Sequence, residues 1–246
     1  MTPETLIVIP ARLQSSRLNH KILQNIDGEP LLVHTLRHAQ QAKLAPIVVA
    51  CDDERTMAVC RKLGIDSVMT ESTLASGSDR IAAALQAYDP DRHAQYIINI
   101  QADLPDISAR AIHALYQLLV ADNPQEERIT TLVSPLDERD THNPHVVKAA
   151  ISWYQHNQGR ALYFSRNAIP ASNGALYHHI GVYGYTRSAL ETFCALPPSP
   201  LEQHERLEQL RALEAGLPIY AEQIPVPPAS IDTQDDLDRF REHKNR

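Results

Sequence analysis

Short apolar runs alternate with amphipathic stretches through the first half of the chain. Leu6 to Ile9, ended by Pro10, reads as a buried strand because it is short and punctuated. A polar loop from Ala11 to Gly28 follows. Pro30 then opens a segment whose apolar positions Leu31, Leu32, Leu36 and Ala39 recur at helical spacing, with proline in the tolerated first turn. Pro46 to Cys51 predicts the next strand, Asp53 to Leu63 a helix stopped by Gly64, Asp66 to Met69 a short strand and Asp79 to Tyr88 a helix. Tyr96 to Ile100 predicts a strand and Ile107 to Val120 a helix. Strands alternating with helices imply right-handed crossovers and a doubly wound, Rossmann-like, mostly parallel α/β sheet. Ligands bind outside the carboxyl ends of strands in such sheets, which selects the loops after Ile9, Ala50 and Ile100 before any motif is considered.

The pattern changes after about residue 125. Strand-like runs at Ile129 to Val133, Val146 to Ile151 and His179 to Tyr185 predict a smaller mixed α+β addition over 126–246 to an α/β core over 1–125. Gln203 to Ala215 reads as one helix, with Leu207, Leu210 and Leu213 on one face and Gly216 as its stop. Ile219 to Val226 predicts a strand and Asp232 to Glu242 a helix, and both are expected to return to the core. Pro197, Pro198 and Pro200 mark a turn.

Composition narrows the chemistry. The 246 residues carry a net charge of −7, which argues against broad binding to nucleic acid or acidic membranes. The 3 cysteines, Cys51, Cys60 and Cys194, form no disulfide or zinc pattern, and with no visible export signal or membrane span they fit a reducing cytoplasm. The 8 glycines are about half the usual share, and neither G-x-G-x-x-G nor G-x-x-x-x-G-K occurs, so the standard glycine-rich phosphate cradles are excluded. No H-x-x-x-H or G-x-S-x-G spacing points to zinc or a serine hydrolase.

Four constellations remain. Arg12, Arg17 and Lys21 crowd one loop of an acidic protein just beyond a strand end, a plausible clamp for a triphosphate. Asp103 follows the strand ending at Ile100, where a nucleotide enzyme would hold Mg²⁺; it could equally cap the helix near Ile107. Asp232 reads on its own as the cap of the terminal helix. Ser76-Gly77-Ser78-Asp79-Arg80 could present N–H groups and hydroxyls to a ligand, or form a plain turn with Ser78 as cap.

Taken together, I-P-A-R-x-x-S-S-R-L-x-x-K at 9–21 and D-G-E-P-L-L-V-H-T at 27–35 resemble the sugar cytidylyltransferases, specifically the 3-deoxy-manno-octulosonate (Kdo) cytidylyltransferases. The resemblance continues through S-G-S-D-R at 76–80, N-I-Q-A-D at 99–103, A-L-Y-F-S-R-N-A-I-P at 161–170 and H-I-G-V-Y-G-Y at 179–185. It ends with P-S-P-L-E at 198–202, L-E-Q-L-R at 207–211 and I-D-T-Q-D-D-L at 231–237. It implies a fold of the nucleotide-diphospho-sugar transferase type and transfer of CMP from CTP to a 2-keto-3-deoxy sugar acid, Kdo or a variant such as 8-amino-Kdo, for lipopolysaccharide biosynthesis. A homodimer is implied as well. Ala11, Arg12, Arg17, Lys21, Ser76, Gly77 and Gln101 match nucleotide positions. Asp103 and Asp232 match Mg²⁺ carboxylates, in place of the capping roles their spacing suggests, and together with the three cations they match the catalytic set. Arg166, His179, Tyr183, Glu208 and Gln209 match sugar-binding positions. The chain departs from the usual motif at Asn19 and His20 (commonly Pro-Gly), at Ala102 and Leu104 (Gly and Glu) and around Ala229, where glycines are usual. These departures keep two alternatives in view: a sialic-type acid as substrate, and a non-catalytic nucleotide- or sugar-binding homologue.

Overall fold

A computed structural model describes residues 4–15, 17–121, 127–171 and 174–244. The chain forms two compact units, Met1–His113 with Pro228–Arg246, and Ala114–Pro227. This division differs from the expected one. The boundary lies inside a helix rather than near residue 125, and of the two terminal elements only the helix belongs to the first unit.

In the first unit, β1 (Thr5–Ala11), β4 (Ile47–Cys51), β5 (Asp66–Met69) and β6 (Tyr96–Asn99) run parallel in the order β5-β4-β1-β6. Chain order therefore reverses between β1 and β6, where a doubly wound sheet opens its ligand crevice. Ile7, Val8, Ile9, Val48, Val49, Ile97 and Ile98 are fully buried, as continuous apolar strands covered on both faces must be. Between strands come α1 (Leu31–Gln41), α2 (Glu54–Leu63), α3 (Gly77–Tyr88) and α4 (Ala109–Val120). Asp53 caps α2 and Gly64, at φ 66°, closes it in the left-handed region.

The polar loop after β1 contains structure that the pattern does not announce. Asn25–Ile26 (β2) pairs with Glu29–Pro30 (β3) across Asp27 and Gly28, both at positive φ, the conformation a two-residue hairpin turn needs. Leu18 and Ile26 then pack with Leu31, Ile231, Leu237 and Phe240. Through this knot the loop, the hairpin, α1 and the terminal helix α8 (Gln234–Lys244) share one small core.

In the second unit, β7 (Ile129–Pro135), β8 (Lys148–Trp153), β9 (Gln158–Ser165), β10 (Tyr177–Thr186) and β11 (Ile219–Gln223) lie in the order β10-β7-β11-β9-β8. Only β7 and β11 are parallel; the other neighbours are antiparallel. The edge strand β8 also meets β10 at Tyr177 and His178, so the sheet curls back on itself. β9 is absent from the sequence pattern because it begins Q-G-R. Its Gly159 is required, since a Cβ there would lie 2.6 Å from Ile151 Cγ2 and 2.7 Å from the Ser152 carbonyl. Helix α5 (Arg187–Ala195), capped by Thr186, is likewise not predicted.

The single helix expected over Gln203 to Ala215 is two short ones, α6 (Pro200–Glu205) and α7 (Leu210–Glu214). Ser199 and Glu202 form a capping box with Pro200 at the first helical position, which starts α6 three residues early and turns the proline cluster into a helix entry. Arg206 then takes φ 55°, which no α-helix can continue. The freed carbonyls are taken up by Arg166, whose Nε donates to Glu205 O at 2.9 Å and whose Nη2 donates to Arg206 O at 3.3 Å.

Candidate active site

Pro10, Arg12, Gln14, Ser15, Arg17, Lys21 and Ile22 from the loop after β1 face Gln101, Ala102 and Asp103 from the loop after β6 across a cavity of about 440 Å³. A second cavity of about 200 Å³ shares Pro10, Arg12 and Gln101 and adds Leu74, Ala75, Ser76, Gly77 and Arg80. Both lie at the carboxyl ends of the strands, on the switch point. Ala11, the last residue of β1, is fully buried.

Lys21 is the hub of the larger cavity. Its Nζ donates to Asp103 Oδ2 at 2.5 Å and to Asp232 Oδ1 at 2.8 Å, while Arg17 Nη2 donates to Asp232 Oδ1 at 3.0 Å. Burial alone would lower the Lys21 pKa, but the two carboxylates outweigh it and raise the pKa above the usual lysine range. Neither aspartate caps a helix. Ser108 Oγ accepts from Ala111 N at the start of α4, and Thr233 Oγ1 accepts from Asp236 N at the start of α8, with Asp236 accepting from Thr233 N in return.

Two ties hold the distant Asp232 segment beside Asp103. Ile231 N donates to Asp103 O at 3.2 Å, and Ala229 N donates to Asp106 Oδ1 at 2.8 Å. The apolar knot completes the positioning: Leu18 lies between Arg17 and Lys21 in sequence, and Ile231 immediately precedes Asp232, so packing Leu18 on Ile231 delivers the charges to one another. Asp106 has no recognisable motif, and only its place beyond the β6 end could have flagged it.

Two carboxylate oxygens converging on one cation fit a hard divalent ion. Mg²⁺ is commonly held by one or two carboxylates, with waters and substrate phosphates as its other ligands. The Lys21 ammonium touches the same two oxygens and shows that the pair accepts a positive partner. Among the described residues no group of three or more His, Cys, Asp or Glu side chains forms a metal cage.

At the smaller cavity, Ser76 rather than Ser78 caps α3, its Oγ accepting from Asp79 N at 3.1 Å. Gly77 stands against Pro10 and Gln101. Gln101 Nε2 donates to Asn99 Oδ1 at 3.2 Å, which fixes the amide's orientation.

His20 stands where the related motif carries glycine, at φ 48° and ψ 40°, just before the turn Lys21–Leu23. The backbone still adopts the conformation glycine favours, and a side chain there is strained. Leu104, in place of the usual acid, is buried and contributes to the core. Ala102 is buried too, and its carbonyl accepts from Thr35 Oγ1 at 3.0 Å.

The second unit holds a different kind of cluster. His179 is buried beside Phe164 and Tyr183, with ring centroids 4.7 and 5.6 Å away. Burial, helped by His178, pushes its pKa down to about 3, so the ring is neutral. Thr131 Oγ1 lies 2.8 Å from Val182 O, 3.1 Å from Ile180 O and 3.0 Å from His179 Nε2. Its one proton goes to a carbonyl, so Nε2–H of His179 must donate and Nδ1 is left as the acceptor. The register of β10 against β7 shifts between Ile180 and Tyr183, where Thr131 reaches both carbonyls. Burial, then Tyr185 and Glu208, push the Tyr183 phenol well above the usual tyrosine range.

Arg166 uses Nε, Nη1 and Nη2 on the carbonyls of Glu205, Pro144 and Arg206. Glu208 and Gln209 lie in the turn between α6 and α7, not on a continuous helix, and Gln209 is buried. Lys148, fully buried with its ammonium on the carbonyls of Asn143 at 2.6 Å and Arg166 at 3.2 Å, is a further polar member of this region that sequence reasoning missed.

A parallel sheet whose switch point carries three cations, two convergent carboxylates and a capped helix N-terminus defines a nucleotide-handling α/β enzyme. The cytidylyltransferase family model matches residues 6–224. The 3-deoxy-manno-octulosonate cytidylyltransferases of Agrobacterium fabrum and Mesorhizobium japonicum are each 47% identical to the chain, over 97% and 96% of it and 94% and 97% of their own lengths. A solved structure of CMP:2-keto-3-deoxy-manno-octonic acid synthetase complexed with CTP superposes with a TM-score of 0.88 at 33% identity, covering 99% of both chains. UDP-glucose pyrophosphorylase shares the fold alone, at a TM-score of 0.70 and 12% identity. The chain belongs to the cytidylyltransferase family, and it is an enzyme, a nucleotidyltransferase.

Proposed function

We infer that the enzyme transfers CMP from CTP to the anomeric hydroxyl of 3-deoxy-manno-octulosonate, releases pyrophosphate and so activates the sugar acid for lipopolysaccharide assembly. The observation that carries this reading is the Arg17–Lys21–Asp103–Asp232 constellation at the switch point, in a chain 47% identical to named 3-deoxy-manno-octulosonate cytidylyltransferases.

Attack of a hydroxyl on the α-phosphorus needs positioning and charge neutralisation more than a protein nucleophile. Arg12, Arg17 and Lys21 bind the triphosphate oxygens and hold the leaving pyrophosphate. Ser76, Gly77 and Gln101 surround the nucleoside, with Ala11 shaping the strand end beneath it. Asp103 and Asp232 would hold Mg²⁺, and the ion would supply neutralisation of phosphate charge and polarisation of the α-phosphorus. With nucleotide bound, the Lys21 ammonium would exchange the two carboxylates for phosphate oxygens, so one residue would serve both states. In the second unit a neutral His179, Tyr183, Glu208 and Gln209 address the hydroxyls of the sugar acid, and Arg166 has N–H groups beyond its three carbonyl contacts for the carboxylate.

Among the described residues no helix is long and apolar enough to cross a membrane. A homodimer belongs to this reading through the resemblance to the family alone, and light scattering of the purified protein would test it.

The test of the reaction is pyrophosphate release by purified protein with CTP, Mg²⁺ and a panel of Kdo, 8-amino-Kdo and sialic-type acids. Release with Kdo or its 8-amino form is expected. Release with a sialic-type acid alone would move the substrate, and CTP binding without any turnover would make the protein a binding homologue.

A further inference from the structure

The loop after β4, one of the three selected by the strand-end rule, carries no role in the reading above. It contains Asp52, whose side chain is 5% exposed and which faces Arg80 of α3, 2% exposed, with Nη2 to Oδ2 at 3.4 Å. The other carboxylate oxygen, Oδ1, accepts from the backbone N–H of Leu13 at 2.8 Å. Leu13 follows Arg12, which lines both cavities together with Pro10 and Gln101. Arg80 is itself anchored: Nη1 donates to Thr70 Oγ1 at 2.5 Å, and Thr70 Oγ1 donates to Cys51 O at 2.8 Å. Among the described residues Arg80 Nη2 makes no hydrogen bond, so only the Asp52 carboxylate offsets its buried charge.

A buried ion pair is weak evidence for stability, because desolvation cancels much of its attraction. This pair ties three strand-end segments together, the loops after β1 and β4 and the first turn of α3. The Leu13 contact matters most, since a backbone N–H clamped next to Arg12 sets the direction in which that side chain leaves the strand.

We propose that Asp52, held by Arg80, is a positioning residue for the nucleotide: it fixes the backbone at Leu13 and thereby aims Arg12 at CTP. The proposal rests on assigning the Pro10–Lys21 loop to CTP, and the experiment separates the two claims. Steady-state KM for CTP, KM for Kdo and kcat are measured for wild type, Arg12→Ala, Asp52→Asn and the paired Asp52→Leu/Arg80→Met variant, each with its Tm. Asp52→Asn leaves a buried cation without its counter-charge and is expected to lose stability. The paired variant removes both charges for apolar groups of similar size, a change that is often neutral for folding. It still strips Leu13 N–H of its acceptor.

The paired variant is expected to keep a Tm near wild type and a normal KM for Kdo, while its KM for CTP rises about tenfold, the effect of one lost orienting hydrogen bond. If Arg12→Ala raises KM for CTP and the paired variant does not, Asp52 is merely structural and the proposal fails alone. If Arg12→Ala leaves KM for CTP unchanged, the assignment of the loop fails and the proposal with it. If the paired variant does not fold, Asp52→Ser, whose shorter side chain cannot reach Leu13 N–H and which leaves Arg80 in place, decides the point: a raised KM for CTP at normal KM for Kdo supports positioning, and an unchanged KM for CTP overturns it.

Discussion

The two units build their polar clusters from opposite materials. In the first, Arg17, Lys21, Asp103 and Asp232 are charged and partly solvated, with side chains between 13% and 47% exposed, and they satisfy one another. In the second, His179 is buried and neutral, and Arg166 is occupied with backbone carbonyls. The first cluster can exchange internal ion pairs for the charges of a substrate at little desolvation cost, as the proposed binding of a triphosphate would require. The second is a fixed set of donors and acceptors, suited to reading the hydroxyls of one sugar. On the proposed function, charge handling and substrate identity reside in separate parts of the chain, and substitutions should separate them.

The largest effect is expected at the charge hub. Lys21→Met should lower kcat/KM by about two to three orders of magnitude, the usual loss for one preorganised donor on developing charge. The protein should remain folded by circular dichroism. A rate within a factor of a few of wild type would remove Lys21 from the phosphate site.

Next, Arg166→Ala removes three contacts to backbone carbonyls and loosens the junction of α6 and α7. KM for the sugar acid should rise about tenfold with KM for CTP unchanged, as expected when orienting hydrogen bonds are lost on one substrate only. A rise in KM for CTP instead would blur the division between the units.

A pH series tests the buried side of the comparison. His179 has a folded pKa of about 3 against a model-peptide value near 6.5, so between these values the unfolded chain takes up a proton that the folded one refuses. Its contribution to stability is therefore complete above pH ~6.5 and is lost as pH falls toward ~3, at up to about 1.4 kcal/mol per pH unit. Denaturation of His179→Phe across this range should show a shallower acid-side loss than wild type. Parallel curves would mean the ring is already protonated in the folded state.

The smallest effect concerns the scarce glycines. His20→Gly should stabilise the fold by about 1 kcal/mol, since a non-glycine residue at positive φ costs about 1–2 kcal/mol and part is returned as chain entropy. A lower midpoint in chemical denaturation would show that the imidazole does more than tolerate its backbone.

Much of the first unit was legible because its signals are local. Pro10, Gly64 and the apolar runs mark element ends directly, and the strand-end rule located the loops of Arg12 and Asp103 before any motif was considered. Asp232 was not legible from spacing, which suggested a helix cap; Thr233 takes that role through a local box with Asp236, while the packing of Leu18 with Ile231 that brings Asp232 to the cations is a tertiary fact. The break at Arg206 was hidden for the same reason: the leucine spacing across it is helical, and the left-handed turn that ends the helix has its freed carbonyl met by a guanidinium forty residues away in sequence. β9 was hidden because Gly159 weakens the local strand signal while being required for the close approach to β8. The glycine count excluded two phosphate motifs and left open that side chains rather than backbone carry the charge.

The most direct test of the central claim, that Asp103 and Asp232 form the metal-dependent charge centre, is the rate of pyrophosphate release by Asp103→Asn as a function of Mg²⁺ concentration. The account predicts a folded protein with turnover at least about a hundredfold below wild type at any Mg²⁺ level, the scale of losing a principal electrostatic group. A normal rate with the wild-type Mg²⁺ dependence would contradict it.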